Sequence, residues 1–240
     1  DRLIPDMLVG GLIDIGVPPE YLKAKLKEAE LPDDFIEKSI PHAQVSAHYF
    51  HVPEKADKPL LLRQGDLYRQ WREICTKAAP EWEVPGWKVF SSLAAGASDA
   101  LDEIPANIIN LQRCEVKEEH LISLYCFFAA LDYLGVESLF TCPFSVIPGK
   151  SEMARTTEKI MIHAVSTTGE AISAEDINPF AAAMIEGLSA GYIPMDGRFL
   201  VDKTAYGSAS AVKPTGESTV AVYLGYFTDR EDSIFSRHLK

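Results

Sequence analysis

Residues 118–134, "EEHLISLYCFFAALDYL", constrain the fold more than any other stretch. Acidic residues open the segment, where the helix dipole favours them, and Gly135 closes it. A nearly unbroken apolar run lies between, so the pattern predicts the most buried helix of the chain. That run, like every other here, falls short of the roughly 20 residues needed to span a bilayer. "SLFTCPFSVIPG" (138–149) follows as a strand, giving a helix-to-strand unit. Pro143 within it implies an edge strand or a bulge.

The rest of the chain must pack around that helix. Leu8, Leu12 and Ile15 fall on one helical face, and Gly16-Val17-Pro18 ends the helix. Pro19 suits the first turn of a second helix, with Leu22, Leu26 and Ala29 inward. Residues 44–52 alternate and are rich in β-formers, which predicts a strand. Asp66 to Ala79 reads as a helix with Leu67, Trp71, Ile74 and Cys75 inward. "PEWEVPGW" (80–87) reads as a break. "WKVFSSLAAGASDAL" (87–101) reads as a small-residue helix suited to close packing. Asn178-Pro179 looks like an N-cap and first helical residue for the segment 180–191. Residues 197–207 and 218–227 read as a final strand pair turning at Lys213–Gly216. Helices dominate early and strands enter late and mixed, so the expected class is α+β: one domain of helices packed on a small mixed or antiparallel sheet.

Lys and Arg total 23 against 35 Asp and Glu, a net charge of −12. An acidic surface argues against nucleic acid and anionic membrane as partners. Cys75, Cys114, Cys126 and Cys142 form no Cys-x-x-Cys pair and fall in segments that read as buried. They are expected to be free thiols of a cytoplasmic protein.

Candidate chemistry is sparse. Gly10 and Gly11 suggest a phosphate loop, but neither G-x-G-x-x-G nor Gly-Lys-Ser/Thr is present. Mid-helix glycine costs ~1 kcal/mol, so the pair reads instead as allowing a neighbouring helix to approach closely. His48 and His51, three apart on a strand, point to opposite faces and cannot chelate one ion together. Either could contribute to a composite site. "CEVKEEH" (114–120) alone mixes Cys, His and carboxylates, although an acidic helix start explains it as well. "TAYGSAS" (204–210) reads as a tight turn whose backbone amides could also receive an anion.

Four collinear segments carry a resemblance. "PDMLVGGLIDIGVPPEYLKAKL" (5–26) resembles the Gly-Asp-Met opening of the nickel-insertion (LarC) family of nickel-pincer-nucleotide cofactor biosynthesis. "FFAALDYLGVESLFTCPF" (127–144), "GEAISAEDINPFAAAMIEGL" (169–188) and "KTAYGSASAVKPTGESTVAVYLG" (203–225) are similar to later family segments, in order. The resemblance implies a cyclometallase of the lyase type. It would insert nickel into pyridinium-3,5-bisthiocarboxylic acid mononucleotide and form a carbon–nickel bond, using CTP with Mn²⁺ or Mg²⁺. By the same resemblance this chain corresponds to the N-terminal domain. The C-terminal CTP-binding domain is expected to be absent from it, and self-association is expected.

Site residues carried over on this basis are Asp6 and Glu115 as catalytic carboxylates and Cys114 and His120 as soft metal ligands. Gly207 and Ser208 would contact the phosphate of a nucleotide-like substrate. There are departures. Pro5 replaces the motif glycine, and "QRCEVKEEH" stands where the family has His-x-His-Glu-Val-Gly. An alternative therefore stands beside the enzyme: a diverged paralogue acting as a scaffold or as a binding module for a nucleotide-like ligand. A dehydrogenase reading has no fingerprint behind it.

Overall fold

The protein is described from a computed structural model over residues 2–42, 45–54, 61–102, 108–163, 170–193, 198–212 and 219–228. Its elements are α1 (Pro5–Ile15), α2 (Pro19–Glu28), β1 (Ile36–His42), β2 (Val45–His51), α3 (Gln64–Ala78), α4 (Glu83–Leu101) and α5 (His120–Leu134). They continue with β3 (Leu139–Thr141), β4 (Phe144–Ile147), α6 (Glu152–Ile160), β5 (Glu170–Ser173), α7 (Pro179–Leu188), β6 (Ser189–Tyr192), β7 (Phe199–Ser208) and β8 (Thr219–Phe227). The class is α+β.

The main sheet has the order β1-β2-β7-β8. β1 runs antiparallel to β2, and β7 antiparallel to β8. The two hairpins join through a short parallel contact in which His48 faces Gly207 and Tyr49 faces Ser208. The sheet is thus mixed, as the pattern predicted. β1 itself was not anticipated. Its sequence, "IEKSIPH", carries charge and a proline, and such a strand survives only at an edge, where it lies.

Helix α1 lies between this sheet and α5. Pro5 occupies its first turn, and Gly16, at φ +132°, returns its N–H to the carbonyls of Ile13 and Leu12. The glycine pair allows close approach, but the neighbour is the sheet and not a helix. A Cβ on Gly10 would strike the carbonyl oxygen of His48, and one on Gly11 would lie 2.5 Å from Val222 Cγ2. Gly207 of β7 completes the contact from the other side, since its missing Cβ leaves room for the Met7 carbonyl. Two backbones in contact leave no space for a phosphate.

Every residue of α5 from His120 to Leu131 is buried. Its Phe128 ring meets Trp71 of α3 at 5.6 Å and Trp82 at 5.8 Å, so one core joins α1, α3, α4 and α5. The break expected over 80–87 is shorter than the sequence suggested. A single 3-10 turn covers Pro80–Trp82 and α4 starts at Glu83, which puts Pro85 in a first turn where it breaks no helical bond. The strand expected over 138–149 divides at Cys142-Pro143. β3 pairs with β6 and β4 with β5, both in parallel, because proline cannot continue a ladder. Asn178 caps α7 by accepting the Phe180 N–H at 2.9 Å, as its position predicted. The Lys213–Gly216 turn lies outside the described residues.

All four cysteines are free. Cys75, Cys114 and Cys126 are buried, but Cys142 is exposed at the β3–β4 break, against the expectation that all four would be interior. Among the described residues no helix is long and apolar enough to cross a membrane.

Candidate functional site

The polar centre of the molecule forms where the starts of α1 and α5 meet the end of β2. Asp6, in the first turn of α1, is only 6% exposed. Three donors converge on its carboxylate: Ser123 Oγ on Oδ1 at 2.6 Å, and His51 Nδ1 at 3.1 Å and the Val52 N–H at 3.3 Å on Oδ2. A buried carboxylate requires such donors, and the N-terminal dipole of α1 adds to them.

His51 is the exposed partner of this arrangement, its side chain 37% accessible. The hydrogen bond to Asp6 raises its pKa above the ordinary imidazole value, although partial burial opposes the shift. The Tyr49 ring lies 6.0 Å from the His51 ring. Burial raises the pKa of the Tyr49 phenol, and the Asp6 charge adds to the effect.

His120 opens α5 from the other side. Its Nδ1 accepts the Lys117 N–H at 3.2 Å, and its ring packs 5.3 Å from the Phe180 ring of α7. Burial pushes its pKa down to about 4, so the ring is neutral at pH 7. Lys117 Nζ pairs with Glu54, just beyond β2. The charges of Asp6, Lys117 and Glu54 bear on the protonation of both histidines.

The other expected site residues lie elsewhere. Cys114 is fully buried, with Sγ 3.2 Å from Thr156 Oγ1 of α6. The single hydroxyl proton of Thr156 goes to the Glu152 carbonyl at 2.8 Å, so the Cys114 thiol is the donor in that contact. Cys114 thus packs against α6, whereas His120 contacts Lys117 and Phe180.

Glu115 sits at φ +57° on the surface, and its carboxylate pairs with Arg2. Its carbonyl accepts Asn178 Nδ2 at 3.1 Å, so the residue ties the chain start to the entry of α7. Gly207 and Ser208 belong to β7 and not to a turn, with ladder partners Val220 and Thr219. Ser208 Oγ is buried and closes a local loop, donating to the Ser210 carbonyl at 3.0 Å and accepting the Ser210 N–H at 3.1 Å.

His51 is the residue that sequence reasoning underused. The opposed faces expected of His48 and His51 are observed: His48 bonds Glu37 at 2.7 Å while His51 bonds Asp6. Nothing local in the sequence connects His51 to a carboxylate 45 positions earlier.

A separate, mostly apolar cavity of about 890 Å³ lies between Leu8, Leu12 and Ile15 of α1, Leu131 of α5, Phe140 of β3 and residues 220–227. None of Asp6, His51 and His120 lines it.

The sequence model of the family described as "Nickel insertion protein" matches residues 4–234, nearly the whole chain. The protein belongs to this family. One curated relative is a "Putative nickel insertion protein" of Geotalea daltonii, 23% identical over 210 residues. That match takes in 78% of this chain and 49% of the relative, so the chain spans about half the length of the relative it matches. No solved structure matches the chain. The family's matched region includes Asp6, His51 and His120 together.

Proposed function

We propose that this protein inserts nickel into an organic, nucleotide-like precursor, pyridinium-3,5-bisthiocarboxylic acid mononucleotide, as a step in assembling the nickel-pincer nucleotide cofactor. The observation that carries this reading is the position of Asp6. The one acidic residue of the family-like Asp-Met opening is held in the interior, and it orients an imidazole whose far side reaches solvent. A reaction that exchanges a carbon-bound hydrogen for nickel needs a group of this kind, and nickel enters as substrate. Asp6 then acts as a positioning carboxylate.

The CTP and Mn²⁺ or Mg²⁺ requirement applies, in this reading, only where a C-terminal CTP-binding domain accompanies the matched region. Among the described residues no three His, Cys, Asp or Glu side chains are grouped to hold a metal ion, and no step is routed through such a group.

The test is to incubate the full-length protein with the precursor, Ni²⁺, CTP and Mn²⁺ and to follow the nickel adduct by mass spectrometry. Adduct formation by wild type and its loss in Asp6→Ala are expected. A wild type that forms no adduct, under conditions where another family member does, would overturn the reading.

A further inference from the structure

The apolar cavity beside α1 is walled by strand edges. Every residue from 137 to 144 and every residue from 220 to 227 lines it. Side chains along a strand alternate between its two faces, so consecutive residues share one wall only where the strand presents its edge. β3 and β8 therefore turn backbone edges toward each other across the cavity. Among the described residues each is an end strand: β8 ends the order β1-β2-β7-β8, and β3 pairs with β6 alone. The two meet through side chains, with the Phe140 and Phe227 rings 5.1 Å apart, and form no ladder. The cavity is thus a slot between the edges of two sheets.

Its chemistry suits an extended chain. β8, "TVAVYLGYF", has neither charge nor proline, whereas the opposite edge, β1, carries Glu37, Lys38 and Pro41, residues that discourage further pairing. β8 has the composition of a strand paired on both sides. No Lys or Arg lines the slot, so the phosphate of a nucleotide finds no cation there. Apolar walls solvate backbone N–H and C=O groups poorly, and such groups need partners. A β-strand supplies them along both of its own edges at once.

We propose that the slot seats one further β-strand, an apolar segment of the full-length polypeptide from outside residues 1–240. It would pair with β8 on one side and β3 on the other and join their two sheets into one. Two observations favour the protein's own chain. The slot reaches core side chains, Leu12, Leu131 and Met184, and a covalently attached segment keeps such a surface covered through its high effective concentration. The match to the Geotalea daltonii protein takes in only 49% of that relative, so a protein of its length has about as much chain again to supply a strand. Leu8 and Leu12 of α1 also line the slot, so the added strand braces the helix that carries Asp6.

The experiment uses the full-length protein. In a strand paired on one edge only, every second amide is protected from hydrogen exchange; in one paired on both edges, all are. Consecutive amides from 220 to 224 should all exchange at least about 100-fold more slowly than in unstructured chain. Protection of alternate amides alone would overturn the proposal. The source of the strand is read by photo-cross-linking from p-benzoylphenylalanine placed at Tyr223 and, separately, at Phe140, in mixed ¹⁴N- and ¹⁵N-labelled protein. Both positions should join the same apolar segment outside residues 1–240, within one isotope. Cross-links inside residues 1–240, between isotopes or to another protein, or none at all, would overturn the assignment to the protein's own outlying chain. Exchange is read on the wild type, so it decides the slot even where a cross-linker disturbs folding.

Discussion

Ser123 shows how much of this site is built from burial. Its hydroxyl is inaccessible and supplies the shortest bond to Asp6, 2.6 Å. Ser123→Ala leaves one oxygen of a buried carboxylate without its donor and should cost about 2 kcal/mol in urea unfolding. His120 predicts a pH effect. Its folded pKa, about 4, lies below the ordinary imidazole value of 6.5. Between those values the unfolded chain binds more protons, so stability is complete above pH 6.5 and falls as pH drops toward 4. The loss is on the order of 3 kcal/mol. His120→Phe should flatten it, as seen by comparing urea midpoints at pH 7 and pH 4.5. His51 has the opposite sign. Its raised pKa contributes stability below about pH 6.5, and that contribution fades as pH rises through the folded value.

At the scale of elements, the contact between α1 and the sheet decides where Asp6 points. Gly10, Gly11 and Gly207 bring helix and strand backbones together, and the helix start then places Asp6 against the end of β2. Gly207→Ala puts a methyl group into the Met7 carbonyl and should destabilise by about 3 kcal/mol, read from the urea midpoint. Nickel-adduct formation should fall as well, because α1 carries Asp6. The entry to α7 is a second joint, where Asn178 caps the helix through its oxygen and binds the Glu115 carbonyl through its nitrogen. Asn178→Ala should cost about 1 kcal/mol from the cap alone. Several helix boundaries were legible because caps are local: Gly16, Pro19, Gly135 and Asn178 each sit where the pattern required. β1 was not legible, since an edge strand with little apolar surface carries no periodic signal.

At the scale of the whole molecule, one buried cluster runs from α1 through α3 and α5 to α7 and reaches Ala205 of β7. Helical and sheet regions should therefore unfold together. Trp71 and Trp82 report on the helical core, while far-UV circular dichroism reports on all elements. The two denaturation curves should coincide, and a separation of midpoints would show that the sheet unfolds independently. By itself, the sequence determined the helices other than α6 (Glu152–Ile160), several of their caps, the α+β class and the family, because propensity, capping and segment order are local properties of a chain. It also set His48 and His51 on opposite faces, since a strand alternates. Only the tertiary structure decided which face meets what. It put Gly10 and Gly11 against strands, placed Glu115 at the surface with Arg2, and turned Cys114 into α6. It also brought His51 and Ser123 to Asp6 across 45 and 117 positions of sequence. The reason is physical: a buried carboxylate must collect its donors from whatever elements the core packs beside it, and local sequence does not encode that choice.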